Sequence, residues 1–272
     1  MRHELKSALG RLIHAGGLHR QFVGNKAVVL LFHRVDDRFP GDPITCSRRE
    51  FADYCAFFRQ YYDVIGLGDL AARLTSGTDL SGLVVLTFDD GYLDNHDVAA
   101  PELERNGLAA TFFIATEFID SSRVPWWDAA LPYRAEWMTW DHVRSLAAAG
   151  FEIGAHTQNH VDLGVVSGAE AWQEIVGSRD RIGREVGHLP RSFSYPYGRK
   201  HQMTPANREF VRRAGFDVCL SAYGGAVSRG TDPYAIQRIP ISPWFASAPE
   251  VGLEIARAPR DRRARRRTAV MT

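Results

Sequence analysis

The sequence predicts an α/β fold, a barrel of parallel strands in one domain, on three observations. Seven short, mostly apolar segments recur along the chain, and helical patterns with recognisable ends separate them. No glycine-rich nucleotide loop follows the first segment, which favours a barrel over an open doubly wound sheet. The 272 residues, 45% of them hydrophobic, are enough to bury a full-sized core.

The seven segments are residues 27–32, 83–88, 110–114, 151–155, 191–195, 217–221 and 236–241. Apolar runs of this length read as strands buried on both faces. Ser47 and Glu50 form a capping box ahead of Phe51, Tyr54, Phe58 and Tyr61. Thr139 caps a helix that Gly150 stops, Ser167 and Glu170 open one carrying Ala171, Ile175 and Ile182, and Thr204-Pro205 opens another that Gly215 ends. Residues 117–140 break the pattern. They hold Trp126, Trp127, Trp137, Trp140, Tyr133 and two prolines, and read as a loop inserted over the barrel mouth. Such a loop packs its own small core or stacks on carbohydrate. The expected organisation is an extension over residues 1–24, the barrel domain over 25–245, and a basic tail over 246–272.

A net charge of only +1 gives no global attraction to nucleic acid. Cys46, Cys55 and Cys219 lack CxxC spacing and are odd in number, as expected of buried or incidental thiols in a reducing compartment. No run is long enough for a membrane span, and residues 1–24 lack the apolar stretch and cleavage site of a secretory signal, so a cytoplasmic location is expected. Residues 257–267 carry seven arginines opposed only by Asp261. Such a run reads as a solvated end, or as a peripheral contact with an anionic membrane.

Two motifs carry the chemistry. Thr87-Phe88-Asp89-Asp90-Gly91 ends the second apolar segment, and His156-Thr157-Gln158-Asn159-His160 follows the fourth. One carboxylate with two imidazoles is a sufficient ligand set for a catalytic zinc-type ion, and the second carboxylate is free to take a proton from water. Taken singly, Asp-Asp-Gly is a common turn and His-x-x-x-His a common helix face. His33 follows the first strand, however, and Tyr195-Pro196-Tyr197-Gly198 the fifth, so all four elements fall at C-terminal strand ends. Barrel enzymes assemble their active sites there, and the chain reads as a metal-dependent hydrolase.

These residues resemble the polysaccharide deacetylases that share the NodB homology domain, carbohydrate esterase family 4, from about Ala27 to Ile241. The resemblance implies a distorted (β/α) barrel of about seven parallel strands and N-deacetylation of an N-acetylated poly- or oligosaccharide. It implies Asp89 as general base, Asp90, His156 and His160 as ligands of a divalent metal, most often Zn2+, and the Tyr197 backbone N–H as an oxyanion donor. Two departures stand out. Ser194 occupies the position of an arginine that orients the base in the family's third motif, and residues 237–241 lack the family's C-terminal histidine. Leu31-Phe32-His33-Arg34-Val35 is similar to an element of the poly-β-1,6-N-acetylglucosamine deacetylase-like branch, which implies His33 as the acid. Arg238 is then a candidate replacement for the missing arginine, and is grouped with Trp126, Trp127 and Tyr195 as substrate-binding. The same parts serve a deformylase or deacetylase of a lipid- or nucleotide-linked sugar. A non-catalytic glycan-binding module on a degenerate barrel is the alternative from another class.

Overall fold

The computed structural model describes residues 2–241 and 243–258. In chain order the elements are α1 (Arg2–Ala15), α2 (Leu18–Val23), β1 (Val28–Phe32), β2 (Arg34–Val35), β3 (Thr45–Cys46), α3 (Arg48–Tyr61), β4 (Asp63–Val64), α4 (Leu67–Ser76) and β5 (Leu83–Phe88). A π-turn (Asn95–Ala99) leads into α5 (Ala100–Asn106), followed by β6 (Thr111–Ile114), α6 (Trp140–Ala148), β7 (Glu152–Ala155), α7 (Gly168–Val186) and β8 (Ser192–Ser194). The chain continues through α8 (Pro205–Arg213), β9 (Val218–Leu220), β10 (Ile239–Pro240) and α9 (Ala248–Arg257).

Each of the seven expected strand segments contains one strand of a parallel sheet ordered β10-β1-β5-β6-β7-β8-β9, with β4 added beside β5. The result is the distorted (β/α) barrel that the sequence predicts. Its last segment spans the remaining gap. Ile236 pairs with Leu220 of β9, and three residues later Ile239 pairs with Leu30 of β1. The capping boxes at Ser47 and Thr139 form, as do the caps at Ser167 and Thr204.

Residue parity decides what faces the barrel axis. Val28, Leu30, Phe32, Val84, Leu86 and Phe88 join the main apolar cluster with α3 and α5. Val29, Val85, Phe113, Val218 and Leu220 join a second cluster, closed at the other end by Leu67, Leu70 and Leu74 of α4. Continuing the inward parity past the strand ends gives His33, Asp89 and His156. The interior is crowded at Gly154, where a Cβ would meet the Phe113 ring at 2.4 Å and Ser192 Oγ at 2.8 Å, so only glycine fits.

The flanking regions differ from expectation. Residues 2–23 are two helices, and the stretch set apart as a tail begins with α9, whose Val251, Leu253 and Ile255 are buried. Helix α1 lies against α9, with Gly10 so close to Pro249 that a Cβ would fall 2.0 Å from its carbonyl oxygen. His14 ties α1 to the end of α3 as well: its Nδ1–H donates to the Gly10 carbonyl of its own helix, and its Nε2 accepts from the Tyr62 hydroxyl at 2.8 Å. Most of the arginine run, residues 259–267, lies outside the described residues. The three cysteines are free and buried, as expected.

Residues 117–140 pack a small core of their own, the first of the two readings that the sequence left open. Phe118 and Trp137 stack with Tyr92 in a small separate core, pinned by the pairing of Tyr92 with Trp137. Trp126 and Trp127 instead face a cavity at the barrel mouth.

Candidate metal centre and active site

That cavity, about 320 Å³, is lined by Asp89, Asp90, His156, His160, His33 and Tyr197 together with Trp126 and Trp127. Strand ends deliver them. Asp89 donates its backbone N–H to the Phe32 carbonyl, which sets it beside His33, and His156 donates to the Ile114 carbonyl. The backbone is strained where the site is built. Asp90 (φ 78°), Thr157 (φ 63°), His160 (φ 55°) and Tyr197 (φ 60°) all take left-handed conformations that non-glycine residues avoid.

Asp90, His156 and His160 converge with ligand atoms within 4.8 Å of one another, all three side chains buried. His156 Nδ1 faces the Ser194 carbonyl at 2.8 Å, an acceptor only, so Nδ1 carries the proton and the Nε2 lone pair points inward. That Nε2 lies 3.3 Å from Asp90 Oδ1, and His160 Nε2 lies 3.4 Å from the same oxygen. Among the described residues Asp90 Oδ1 has no partner of hydrogen-bond geometry. Lone pairs gathered at this spacing repel unless a cation sits among them. Separations of roughly 3.3 Å are also the edge of a tetrahedron with metal–ligand bonds of about 2.0–2.1 Å. The residues therefore fit a divalent ion. Burial alone would raise the Asp90 pKa, but the two imidazoles hold it well below the usual carboxylate range, while Asp89 and Asp90 outweigh burial to raise that of His156.

Asp89 is organised differently. Arg238 grips it with two bonds, Nη1 to Oδ1 at 2.8 Å and Nη2 to Oδ2 at 2.7 Å, and Ser194 Oγ donates to Oδ2 at 2.9 Å. Arg238 also donates to Ser221 O, Thr87 Oγ1 and Ser194 Oγ, so all five of its N–H bonds are used. The side chain is wholly buried. It is therefore not a substrate-binding residue, as grouped from the sequence; it is the partner of Asp89, with Ser194 completing the grip. Against the cost of burial, Arg238 and His156 together hold the Asp89 pKa down. Tyr195, grouped from the sequence as substrate-binding, lies in the cavity wall, its ring buried edge-on against Phe193 at 5.1 Å.

His33 reaches the cavity from the end of β1, its carbonyl accepting from Asn95 Nδ2 at 2.7 Å. Burial lowers its pKa, and the nearby Asp90 and Asp89 offset part of that lowering. Trp127 packs on the His160 ring at 4.5 Å, and Trp126, 73% exposed, donates its indole N–H to the Tyr197 hydroxyl.

A second network was not anticipated. Arg34, wholly buried, donates to Asp128 Oδ1 at 2.5 Å and Asp42 Oδ2 at 2.8 Å, with its guanidinium over the Tyr92 ring. Tyr92 in turn donates to Asp128 Oδ2 and accepts from Trp127 Nε1, each at 2.9 Å. This relay fixes the inserted loop, and with it Trp127, against the His160 ring of the Asp-His-His cluster. Glu174 of α7 does the same for the His156–His160 turn, accepting from the backbone N–H groups of Gln158 and Asn159. Ninety-odd residues separate Arg34 from Asp128, and no local pattern marks the pairing. The rings of His96 and His142 lie 4.5 Å apart and tilted to each other, and His142 Nδ1 accepts the Thr139 N–H to close its helix cap.

The mouth of the barrel thus holds a buried Asp-His-His cluster and a separately anchored aspartate, at the end where barrel enzymes build their active sites. The sequence model of the polysaccharide deacetylase family matches residues 76–219, just over half of the chain, and the chain belongs to that family. The match takes in both motifs but neither His33 nor Arg238, which the fold brings to them. The Bacillus subtilis (strain 168) protein YxkH, named as a candidate polysaccharide deacetylase, is 24% identical over 225 residues, 82% of this chain and 74% of that protein. The Bacillus cereus peptidoglycan-N-acetylglucosamine deacetylase is 28% identical over 116 residues, 42% of this chain and 36% of that protein. Among solved structures, IcaB from Ammonifex degensii superposes with a TM-score of 0.71 at 25% identity, covering 86% of this chain and 98% of that one. That likeness supports the poly-β-1,6-N-acetylglucosamine deacetylase-like branch.

Proposed function

We propose that the chain is a metal-dependent hydrolase that removes N-acetyl groups from N-acetylated sugars of a poly- or oligosaccharide, its catalytic unit residues 25–245. One observation carries the reading: a three-ligand cluster stands beside an aspartate held by Arg238 and Ser194 rather than by the cluster. Binding alone needs no second, separately held carboxylate.

Asp90, His156 and His160 would hold the ion, and two nitrogens with one oxygen suit zinc. Bound there, it supplies Lewis acidity to an acetamide carbonyl and to water. Asp89, kept ionised by Arg238, takes the proton of the attacking water as the C–O bond forms. The backbone N–H of Tyr197 meets charge developing on the carbonyl oxygen. His33 delivers a proton to the sugar nitrogen as the C–N bond breaks, giving acetate and an amine. Its lowered pKa makes the charged imidazole a stronger donor. Trp126 and Trp127 offer aromatic faces to pyranose rings at the cavity edge. Contact with an anionic membrane through the arginine-rich residues 257–267 belongs to the same proposal.

Acetate release from N-acetylglucosamine oligomers by zinc-loaded protein tests the function, with Asp89→Asn and a chelated sample as controls. Bound metal without turnover on any N-acyl sugar would leave only a glycan-binding module.

A further inference from the structure

His33 is the single residue between β1 and β2, and its backbone is held from both sides. The Phe32 carbonyl accepts from Asp89 N–H at 3.0 Å, and the His33 carbonyl accepts from Asn95 Nδ2 at 2.7 Å. These carbonyls belong to the two peptide planes that flank the His33 Cα. Pinning both planes fixes the direction of the Cα–Cβ bond and leaves only the side-chain torsions free. Two residues on, Val35 N–H donates to Asp94 Oδ1 at 2.8 Å. Asn95 Nδ2 also donates to that oxygen, at 3.0 Å, so Asp94 and Asn95 brace each other as well as the chain beside them.

All three supports come from one segment. Asp89, Asp94 and Asn95 lie within seven residues, and the same segment carries Asp90. The π-turn begins at Asn95, and turns of this kind are frequent at functional sites.

The Asn95 amide is itself informative. It is buried, and among the described residues its Oδ1 has no hydrogen-bond partner. Turning the amide over would set that oxygen against two other acceptors, the His33 carbonyl and Asp94 Oδ1. A buried oxygen left unpaired works against stability, so what this side chain contributes here is the placement of its two donors.

We infer that Asn95, braced by Asp94, is the positioning residue of the acid: it holds the His33 imidazole where the departing sugar nitrogen takes its proton. The inference rests on the reading of His33 as the acid and adds to it the side chain that sets its place. Asp89 is gripped separately by Arg238 and Ser194, so the two proton-transfer groups can be disturbed one at a time.

Leaving-group dependence tests it. An amine departs from an acetamide only when protonated, whereas para-nitrophenolate departs from its acetate ester without an acid. In the zinc-loaded protein, Asn95→Ala should lower kcat on N-acetylglucosamine oligomers by about 10–100-fold with KM little changed, the effect of a small misplacement of a reacting group. Hydrolysis of para-nitrophenyl acetate, and zinc content by elemental analysis, should stay within about twofold of the parent, which separates a misplaced acid from a damaged site. In a His33→Ala background, Asn95→Ala should have no further effect on sugar kcat, because the two residues act as one unit. Asn95→Ser keeps a donor and should show the same split in smaller measure; it takes over the comparison if the alanine variant does not fold. Equal losses on amide and ester, additive losses in the double variant, or parental sugar kcat in Asn95→Ala would overturn the positioning role. Parental sugar kcat in His33→Ala would instead remove the acid reading on which the inference stands.

Discussion

Replacing Arg238 with Met removes the only guanidinium in contact with Asp89 among the described residues, and leaves a carboxylate that is 2% exposed with only the more distant His156, 3.8 Å away, to offset its charge. Breaking a buried pair from one side costs about 3–5 kcal/mol, because the remaining charge is desolvated and uncompensated. Ser194 still donates one bond to Asp89 and recovers only part of that, about 1.5–3 kcal/mol for a hydrogen bond to a charged group. The sign with pH follows from the depressed folded-state pKa of Asp89. The stabilisation is present above the unfolded carboxylate value and is lost as pH falls through the folded one. The stability gap between parent and Arg238→Met, from urea titration, should therefore be largest near neutral pH and shrink in acid. Freed from Arg238, Asp89 should titrate higher, so the acid limb of the kcat/KM profile should move to higher pH and kcat near neutrality should fall. Loss of a general base is worth about 10²–10⁴ in rate, which bounds the effect. Arg238→Lys keeps the charge without the two-pronged grip and should fall between the two. An unmoved acid limb together with parental stability in Arg238→Met would refute the reasoning.

Other outcomes follow from the same geometry. Asp90→Ala and His160→Ala should lose bound metal, by elemental analysis, together with activity, whereas Asp89→Asn should keep the metal and lose turnover by about 10²–10⁴. His33→Ala should lower kcat on N-acetyl sugars within the same range, and full kcat would return the acid role to another residue. Tyr92→Phe deletes the hydroxyl that joins Trp127 to Asp128; about 1 kcal/mol of stability and a raised KM with little change in kcat are expected. His14, whose pKa burial lowers to about 4, stays neutral where an unfolded histidine takes up a proton. Stability should thus fall as pH drops from about 6.5 towards 4, by on the order of 2 kcal/mol after partial solvation, and His14→Leu should flatten that slope in urea titrations.

Much of the fold is legible in the chain because its strands are buried on both faces and read as short apolar runs. The helices after Ser47, Thr139, Ser167 and Thr204 are legible because caps are local chemistry. Helix α1 is not, since the leucines that a hydrophobic pattern would bury are the ones left in solvent, and the buried side is Ser7, Gly10 and His14. Arg238 illustrates the other difficulty. A basic residue near the last strand suggests contact with substrate, yet inward parity and five satisfied N–H bonds place it behind Asp89.

The sequence by itself marked the candidate ligand set and its place. Asp-Asp-Gly and His-x-x-x-His are short-range patterns, and the alternation of strands and helices puts both at the same end of a parallel barrel. The tertiary structure alone decided the divisions of labour around them. It brought His33 into the cavity, gave Asp89 to Arg238 and Ser194, and hung Trp127 on the Arg34–Asp128–Tyr92 relay. Those partners lie tens to more than a hundred residues apart, and only burial at the closed mouth of the barrel forces their charges and hydrogen bonds to find one another.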